Sequence, residues 1–365
     1  MNSSKRILVA PLNWGLGHAT RCIPIIRELQ QQGAEVLLAS DGRALQLLRE
    51  EFQHLPYHTL PAYEITYPFS SMLWSIGWQI PKILRAIKRE HAAIDQIIQR
   101  ERIDAIISDN RFGCFSKKVK TVFLTHQLMI KMPYQWLEKP VNWGNHFWIR
   151  QFDECWIPDF FGDHNLSGDL SDYKRNGSRN FKNKGVREDP KFIGILSRMK
   201  AGLPTKKYRA IFILSGPEPQ RTYLEEKILK QIEKMPERFL IVQGKTEFKS
   251  SEVLNNHIEI VSFMTSPQLN QAILDSEIVV SRSGYSTLMD LANLHKKALL
   301  IPTPGQTEQE YLANRFFESG IFYCQSQKNL NLTVDLEKAE LYPGFSRHNS
   351  QNERLKDAVK QLLEG

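Results

Sequence analysis

The 365-residue sequence contains no apolar run approaching the ~18 residues a membrane-spanning helix needs. The basic pair Lys5-Arg6 precedes an apolar stretch too short for a secretory signal. Only four cysteines are present, Cys22, Cys114, Cys155 and Cys324, and their wide separation fits no zinc or disulfide framework. These absences predict a reduced, cytoplasmic protein. No short-period repeat occurs, which excludes solenoids and propellers. Clustered basic runs and the aromatics of RNA-binding motifs are also missing, so no nucleic-acid partner is expected.

The sequence does hold seven Trp and 19 Phe within an ordinary 41% hydrophobic share, enough for sizeable cores. Lys and Arg outnumber Asp and Glu by 48 to 40, a net charge of +8. That excess suits an anionic partner such as a nucleotide or a phospholipid surface, and equally suits lysines scattered for solubility.

Short apolar runs at 7–11, 35–39, 103–108, 121–125 and 154–157 read as strands. Helical patterns separate them at 19–32, 43–51 and 72–102, the last interrupted at Pro81. Alternation of this kind predicts a parallel sheet covered on both faces. From 162 to about 190 the chain is polar and reads as a long mobile loop, followed by a last strand within "KFIGILSRM" and a linker at "KAGLPTKK". The pattern then restarts with strands at 208–215, 239–242, 258–262, 278–281 and 298–301. The expected architecture is α/β: two Rossmann-like domains at 1–197 and 198–345, with a helix at 346–365 that crosses back to the first.

The stretch "RILVAPLNWGLGHATRCIPIIREL" joins a strand to a helix through Gly15 and Gly17. It completes only part of the G-x-G-x-x-G dinucleotide fingerprint, because Thr20 stands at the third glycine position. Asp41, after the second strand, sits roughly where a ribose-binding acid would in that reading. His18 points elsewhere. A histidine at a helix start above the C-terminal edge of a sheet can serve as a general base, or merely as a surface cap of the turn. Asp109, in "IISDNRFG", and His126, in "FLTHQL", end neighbouring strands at the same edge.

In the second half, "VVSRSGYSTLMDLANLHKKALLIPTPGQTEQEYLANRF" reads as strand, tight turn and helix, twice over. Ser283 is expected to cap the first helix and Gly284 to let backbone amides approach a diphosphate. Asp290, about two turns further on, could hold ribose hydroxyls or be a solvated helix acid. Thr307 and Glu310 have capping-box spacing. Gln309 and Glu310 could bind sugar hydroxyls, and Glu310 could equally be only structural.

The run from Val280 to Arg315 resembles the C-terminal domain of the inverting GT-B glycosyltransferases that include the MurG-type peptidoglycan GlcNAc transferases. The "GLGHATR" stretch is similar to that group's acceptor-side glycine loop. The resemblance implies two domains facing across a cleft, with a UDP-sugar as co-substrate and no cofactor. It implies that Ser215, Gly216, Ser283 and Gly284 surround the diphosphate, with Arg221 taking part of its charge. Phe263 and Met264 would line the base pocket, Asp290 would hold the ribose, and Gln309 with Glu310 would hold the sugar. Gly15, Gly17 and His126 would serve the acceptor, with His18 as base and Asp109 as its partner.

The chemistry implied is inverting and metal-independent, consistent with the lack of a D-x-D pair beside the diphosphate motifs. The acceptor would be an unidentified, lipid-linked or other glycan molecule. The stripe Leu73, Ile76, Ile80, Leu84 and Ile87, with Trp74 and Trp78, suits either a membrane surface contacted through 72–89 or a core-facing helix. The former would place the protein peripherally at the inner face of the membrane. A UDP-sugar 2-epimerase of the same fold and a non-catalytic binder of anionic glycans are the alternatives.

Overall fold

The computed structural model describes residues 4–64, 72–162, 165–172, 189–245, 250–346 and 353–365, without the side chains of 72–76. The chain forms two compact units, Met1–Leu196 together with Gln351–Gly365, and Ser197–Ser350.

The first unit is built on seven parallel strands: β1 (Arg6–Pro11), β2 (Glu35–Ser40), β3 (Tyr57–Thr59), β4 (Ala105–Asp109), β5 (Lys120–Leu124), β6 (Glu154–Ile157) and β7 (Lys191–Phe192). Their order is β3-β2-β1-β4-β5-β6-β7, so the chain reverses direction across the sheet beside β1 and β4. Such a reversal leaves a crevice at the carboxyl ends of the strands. The central strands are apolar over most of their length, Ile7–Ala10 in β1 and Ala105–Ile107 in β4, because helices cover both faces. These helices are α1 (Gly17–Gln31), α2 (Gly42–Glu51), α3 (Met72–Glu101) and α4 (Gln135–Ile149). Leu8, Leu37 and Ile106 pack with Ile94, Ile97 and Ile98 of α3 in one continuous core.

Helix α3 runs unbroken through Pro81, contrary to the expected interruption. A mid-helix proline costs about 3 kcal/mol, which burial of Ile87, Ile94 and Ile98 offsets. The apolar stripe of this helix divides. Ile87 is core, whereas Ile80 and Leu84 are exposed, and Leu73, Trp74 and Ile76 lie outside the described side chains. Helix α4 is absent from the sequence expectation. Of the polar loop expected at 162–190, residues 163–164 and 173–188 are outside the described set. Residues 165–172 are ordered and pack inward: a 3-10 turn spans Gly168–Leu170, and Asp159 accepts the Ser167 amide at 2.8 Å.

The second unit carries β8 (Tyr208–Ile213), β9 (Phe239–Val242), β10 (Ser251–Leu254), β11 (Ile258–Val261), β12 (Ser276–Ser281), β13 (Lys297–Leu300) and β14 (Tyr323–Cys324), in the order β10-β11-β9-β8-β12-β13-β14. Only the edge strand β10 pairs antiparallel. Helices α5 (Gln220–Ile232), α6 (Ser266–Leu274), α7 (Tyr285–Leu294), α8 (Thr307–Glu318) and α9 (Leu332–Glu340) accompany it. Phe212, Ile228, Phe239, Ile278, Leu299 and Leu336 centre its core. The last helix, α10 (Glu353–Glu364), belongs to the first unit, where it buries Leu355, Ala358, Val359 and Leu362 and contacts α1.

Candidate active site

In the first unit, Gly15 adopts φ +82, a conformation that an L side chain rarely reaches, and thereby turns the chain from β1 into α1. The helix starts at Gly17 and sets His18 in its first turn. Asp109 stands at the end of β4, the strand paired directly with β1. The topology therefore brings together two residues 91 positions apart, with His18 Nδ1 2.8 Å from Asp109 Oδ1.

Two further side chains complete the cluster. Arg21, one turn beyond His18, donates from Nε to Asp109 Oδ2 at 2.5 Å and from Nη2 to Oδ1. Its Nη1 lies 2.9 Å from Nδ1 of His126. A guanidinium can only donate, so His126 Nδ1 accepts and the proton of the neutral ring sits on Nε2. Burial alone would push the Asp109 carboxyl up, but the Arg21 charge and the neighbouring His18 outweigh it and hold it at about 2. Asp109 is therefore an anion across the neutral range. Nδ1 of His18 faces both Asp109 Oδ1 at 2.8 Å and Arg21 Nη2 at 3.0 Å; with the Nδ1 proton given to the nearer carboxylate, Nε2 keeps its lone pair, the arrangement a general base requires.

Asp41 does not serve a dinucleotide. Its two oxygens accept from Arg111 at 2.6 Å and from Asn13 at 3.0 Å. Thr20 fills the third glycine position with a buried hydroxyl bonded to the Gly17 carbonyl at 3.0 Å. Arg111 is itself fully buried and also donates to Glu90, which in turn accepts the Tyr63 hydroxyl and the Gly113 amide.

In the second unit the residues expected at a nucleotide site collect at the carboxyl ends of β8, β12 and β13. Ser215 and Gly216 follow β8 and are exposed, with Gly216 at φ +107. Phe263 and Met264 follow β11 and are half-buried, just before the capping box that Thr265 and Gln268 make at the start of α6. Helix α7 opens on Gly284 as N-cap with no side-chain cap, and the positive end of a helix dipole attracts an anion.

Several side chains are engaged differently from expectation. Ser283 does not cap α7; its hydroxyl donates to the Gln309 carbonyl at 2.8 Å. The capping box at Thr307 is not formed, because the N-cap of α8 is Gln306 and Glu310 accepts the Gly305 amide at 2.8 Å. Gln309 is buried, and its Oε1 takes the Thr303 amide at 2.8 Å. Arg221 pairs with Glu218 at 2.5 Å and Glu225 at 2.8 Å, so its charge is already met within the protein.

Arg21 was missed in the sequence, and so were two residues of the second unit. Ser197 donates to Asp290 Oδ1 at 2.6 Å from 93 positions away. Arg282, between the expected Ser283 and β12, is fully buried. It makes no ion pair among the described residues, and burial lowers it to about 10.

Asp290 supplies a pH test. Burial pushes its carboxyl up to about 6, outweighing the Arg198 charge and the Ser197 hydroxyl. Ribose hydroxyls donate, so they favour the ionised form. Affinity for a UDP-sugar, whose diphosphate diester does not titrate nearby, should rise as pH climbs through about 6 and level off above it. Asp290→Asn should bind more weakly at neutral pH and lack the step. Calorimetry from acid to neutral pH that gave wild type and variant the same profile would remove Asp290 from the ribose site.

Residues 210–362 match the model of the Glycosyltransferase family 28 C-terminal domain. A UDP-N-acetylglucosamine–N-acetylmuramyl-(pentapeptide) pyrophosphoryl-undecaprenol N-acetylglucosamine transferase of Methylobacterium radiotolerans is 37% identical over 71 residues, 20% of this chain and 19% of that one. The match thus spans about a fifth of that relative's length. An uncharacterized glycosyltransferase of Methanosarcina acetivorans is 22% identical over 334 residues, 86% of this chain and 82% of that one. The crystal structure of the glycotransferase of kitacinnamycin superposes with a TM-score of 0.60 at 12% identity, over 99% of this chain and 95% of that one. The fold is that of the GT-B glycosyltransferases, and the chain resembles their MurG-type members.

Proposed function

We propose that the protein is an inverting glycosyltransferase that moves a sugar from a UDP-sugar donor, GlcNAc being the first candidate, to a lipid-linked acceptor. The observation that carries this reading is the family 28 match over the unit in which Gly216 and Gly284 follow strand ends and Asp290 stands within α7. The His18–Asp109 pair supports the chemistry. His18 Nε2 takes the proton of an acceptor hydroxyl as its oxygen bonds to the anomeric carbon. The bond from that carbon to the diphosphate breaks on the opposite face, and UDP leaves with the electron pair. Asp109 holds the imidazolium so formed. The reading needs no metal or other cofactor for the displacement.

Incubation with a panel of nucleotide sugars and lipid extracts tests it. A glycosylated lipid of inverted anomeric configuration is the expected product. Release of an epimerised sugar without transfer would instead identify the 2-epimerase, and no turnover of any donor would leave only a binder.

The lipid-linked acceptor draws support from exposed aromatic surface. Trp136, Trp143 and Phe147 recur at helical spacing along α4, with Trp143 70% exposed. On α3, Trp78, Ile80 and Leu84 are exposed as well. Among the described residues no helix is long and apolar enough to cross a membrane, so the proposed contact is peripheral. The wild type should sediment with anionic vesicles. Glutamate at Trp136 and Trp143 should reduce the bound fraction by about ten-fold, in line with losing two buried aromatic anchors. Equal sedimentation of variant and wild type would count against a membrane role for α4.

A further inference from the structure

The donor reading leaves open which cation faces the diphosphate, and Arg221 is already paired with Glu218 and Glu225. We propose that Arg282 and Thr303 bind the phosphate oxygens of the nucleoside diphosphate, with Arg282 meeting the charge that develops on the leaving group. This assignment rests on the reading that the second unit binds such a nucleotide.

The first argument is charge. Among the described residues, the fully buried arginine side chains are Arg21, Arg111 and Arg282. Arg21 is matched by Asp109, and Arg111 by Glu90 and Asp41. Arg282 has no such partner among the described residues. A buried charge without a counterion is costly, and a bound anion would supply one.

The second argument is hydrogen bonding. Arg282 donates from Nη1 to the carbonyls of Ile301 and Pro302 at 3.3 and 3.2 Å. From Nη2 it donates to the Gln220 carbonyl at 2.9 Å and to Gln327 Oε1 at 2.7 Å. These four bonds fix the guanidinium in place. Nε nevertheless lacks a partner, and so does the buried hydroxyl of Thr303. Buried donors are ordinarily completed by protein, water or a ligand, and no protein group among the described residues completes these two.

The third argument is convergence. A Cβ built on Gly216 would stand 3.4 Å from Thr303 Oγ1 and 3.9 Å from Arg282 Nε. Both unpartnered donors thus border the same spot, which residue 216 keeps clear by having no side chain. Gly216 lies in the turn between β8 and α5, Arg282 in the turn before the uncapped start of α7, and Thr303 in the turn before α8. Three strand ends thus bring these groups together at the edge of the sheet where open α/β folds take ligands. Ser283, whose hydroxyl is committed to Gln309, leaves the spot to these groups.

Calorimetry of the full-length chain with UDP, uridine and inorganic pyrophosphate tests the assignment. Thr303→Val keeps the shape and removes only the hydroxyl. Since that hydroxyl has no protein partner, the ligand-free melting temperature should hold or rise. UDP and pyrophosphate affinity should fall about ten-fold, the effect of losing one hydrogen bond to a charged group, while uridine affinity stays unchanged. Arg282→Gln should weaken UDP more strongly still, again sparing uridine. A Thr303→Val protein that binds UDP as tightly as wild type overturns the assignment alone. So does one that loses uridine and UDP alike. Wild-type protein that binds no nucleoside diphosphate and no pyrophosphate overturns the donor reading together with it.

Discussion

Replacing His18 with alanine is expected to slow turnover by about 10²–10⁴-fold, the range for removing a positioned general base, while UDP affinity stays at the wild-type value. The separation follows from the architecture. His18, Arg21, Asp109 and His126 all belong to the first unit, whereas Gly216, Arg282, Gly284 and Asp290 belong to the second. Nothing in the second unit's internal hydrogen bonding depends on His18. A full-turnover His18→Ala protein that had lost UDP would reverse the assignment of roles to the two units. Asp109→Asn should also slow turnover. It removes the negative charge, sets an amide NH2 against His18 or Arg21 where both carboxylate oxygens now accept, and leaves Arg21 buried without its carboxylate. The sign of the associated stability effect is fixed. A carboxyl held at about 2 stabilises the fold above the ordinary carboxylate value, and that contribution is lost as pH falls toward 2. The wild type should therefore lose more stability than Asp109→Asn on acidification below about pH 4.

What the sequence revealed and what it hid divide along physical lines. Strands covered by helices are mostly apolar, so 154–157 and 239–242 are legible residue for residue, even with Glu154 opening the first. Helix α4 was not legible, since Pro140 and Gly144 interrupt it and its exposed face is aromatic rather than polar. The glycine turn and the base candidate could be read because strand, turn and helix are contiguous in sequence. The pairing of His18 with Asp109 could be guessed because both stand at carboxyl ends of strands. Arg21 could not, because its role depends on a carboxylate 88 positions away rather than on local pattern. The same holds for Ser197 on Asp290 and for the uncompensated charge of Arg282. Capping spacing misled at Thr307, where the chain enters the helix one residue earlier and Glu310 reaches back to Gly305.

Glu90→Ala is expected to destabilise the first unit by about 3–5 kcal/mol, the cost of breaking a buried charge pair from one side. Glu90 is fully buried and accepts from Arg111, the Tyr63 hydroxyl at 2.7 Å and the Gly113 amide at 2.8 Å. Its loss leaves a buried guanidinium with only Asp41 as counterion, and two further donors unsatisfied. At ~2–4 °C per kcal/mol for a unit of this size, the melting temperature should fall by roughly 10 °C. Arg111 lies two residues beyond Asp109, so the loop that carries it is the part most exposed to the change. Calorimetric unfolding should show the loss, and UDP affinity below the new transition should be preserved because the residues proposed to bind the nucleotide lie in the other unit. Replacing Glu90 and Arg111 together with apolar residues of similar size should recover part of the loss, because Asp41, buried but still bonded to Asn13, is then the carboxylate left without its cation. A Glu90→Ala protein that melts within a degree or two of wild type would show that solvent reaches Arg111, and the network would then carry little of the fold's stability.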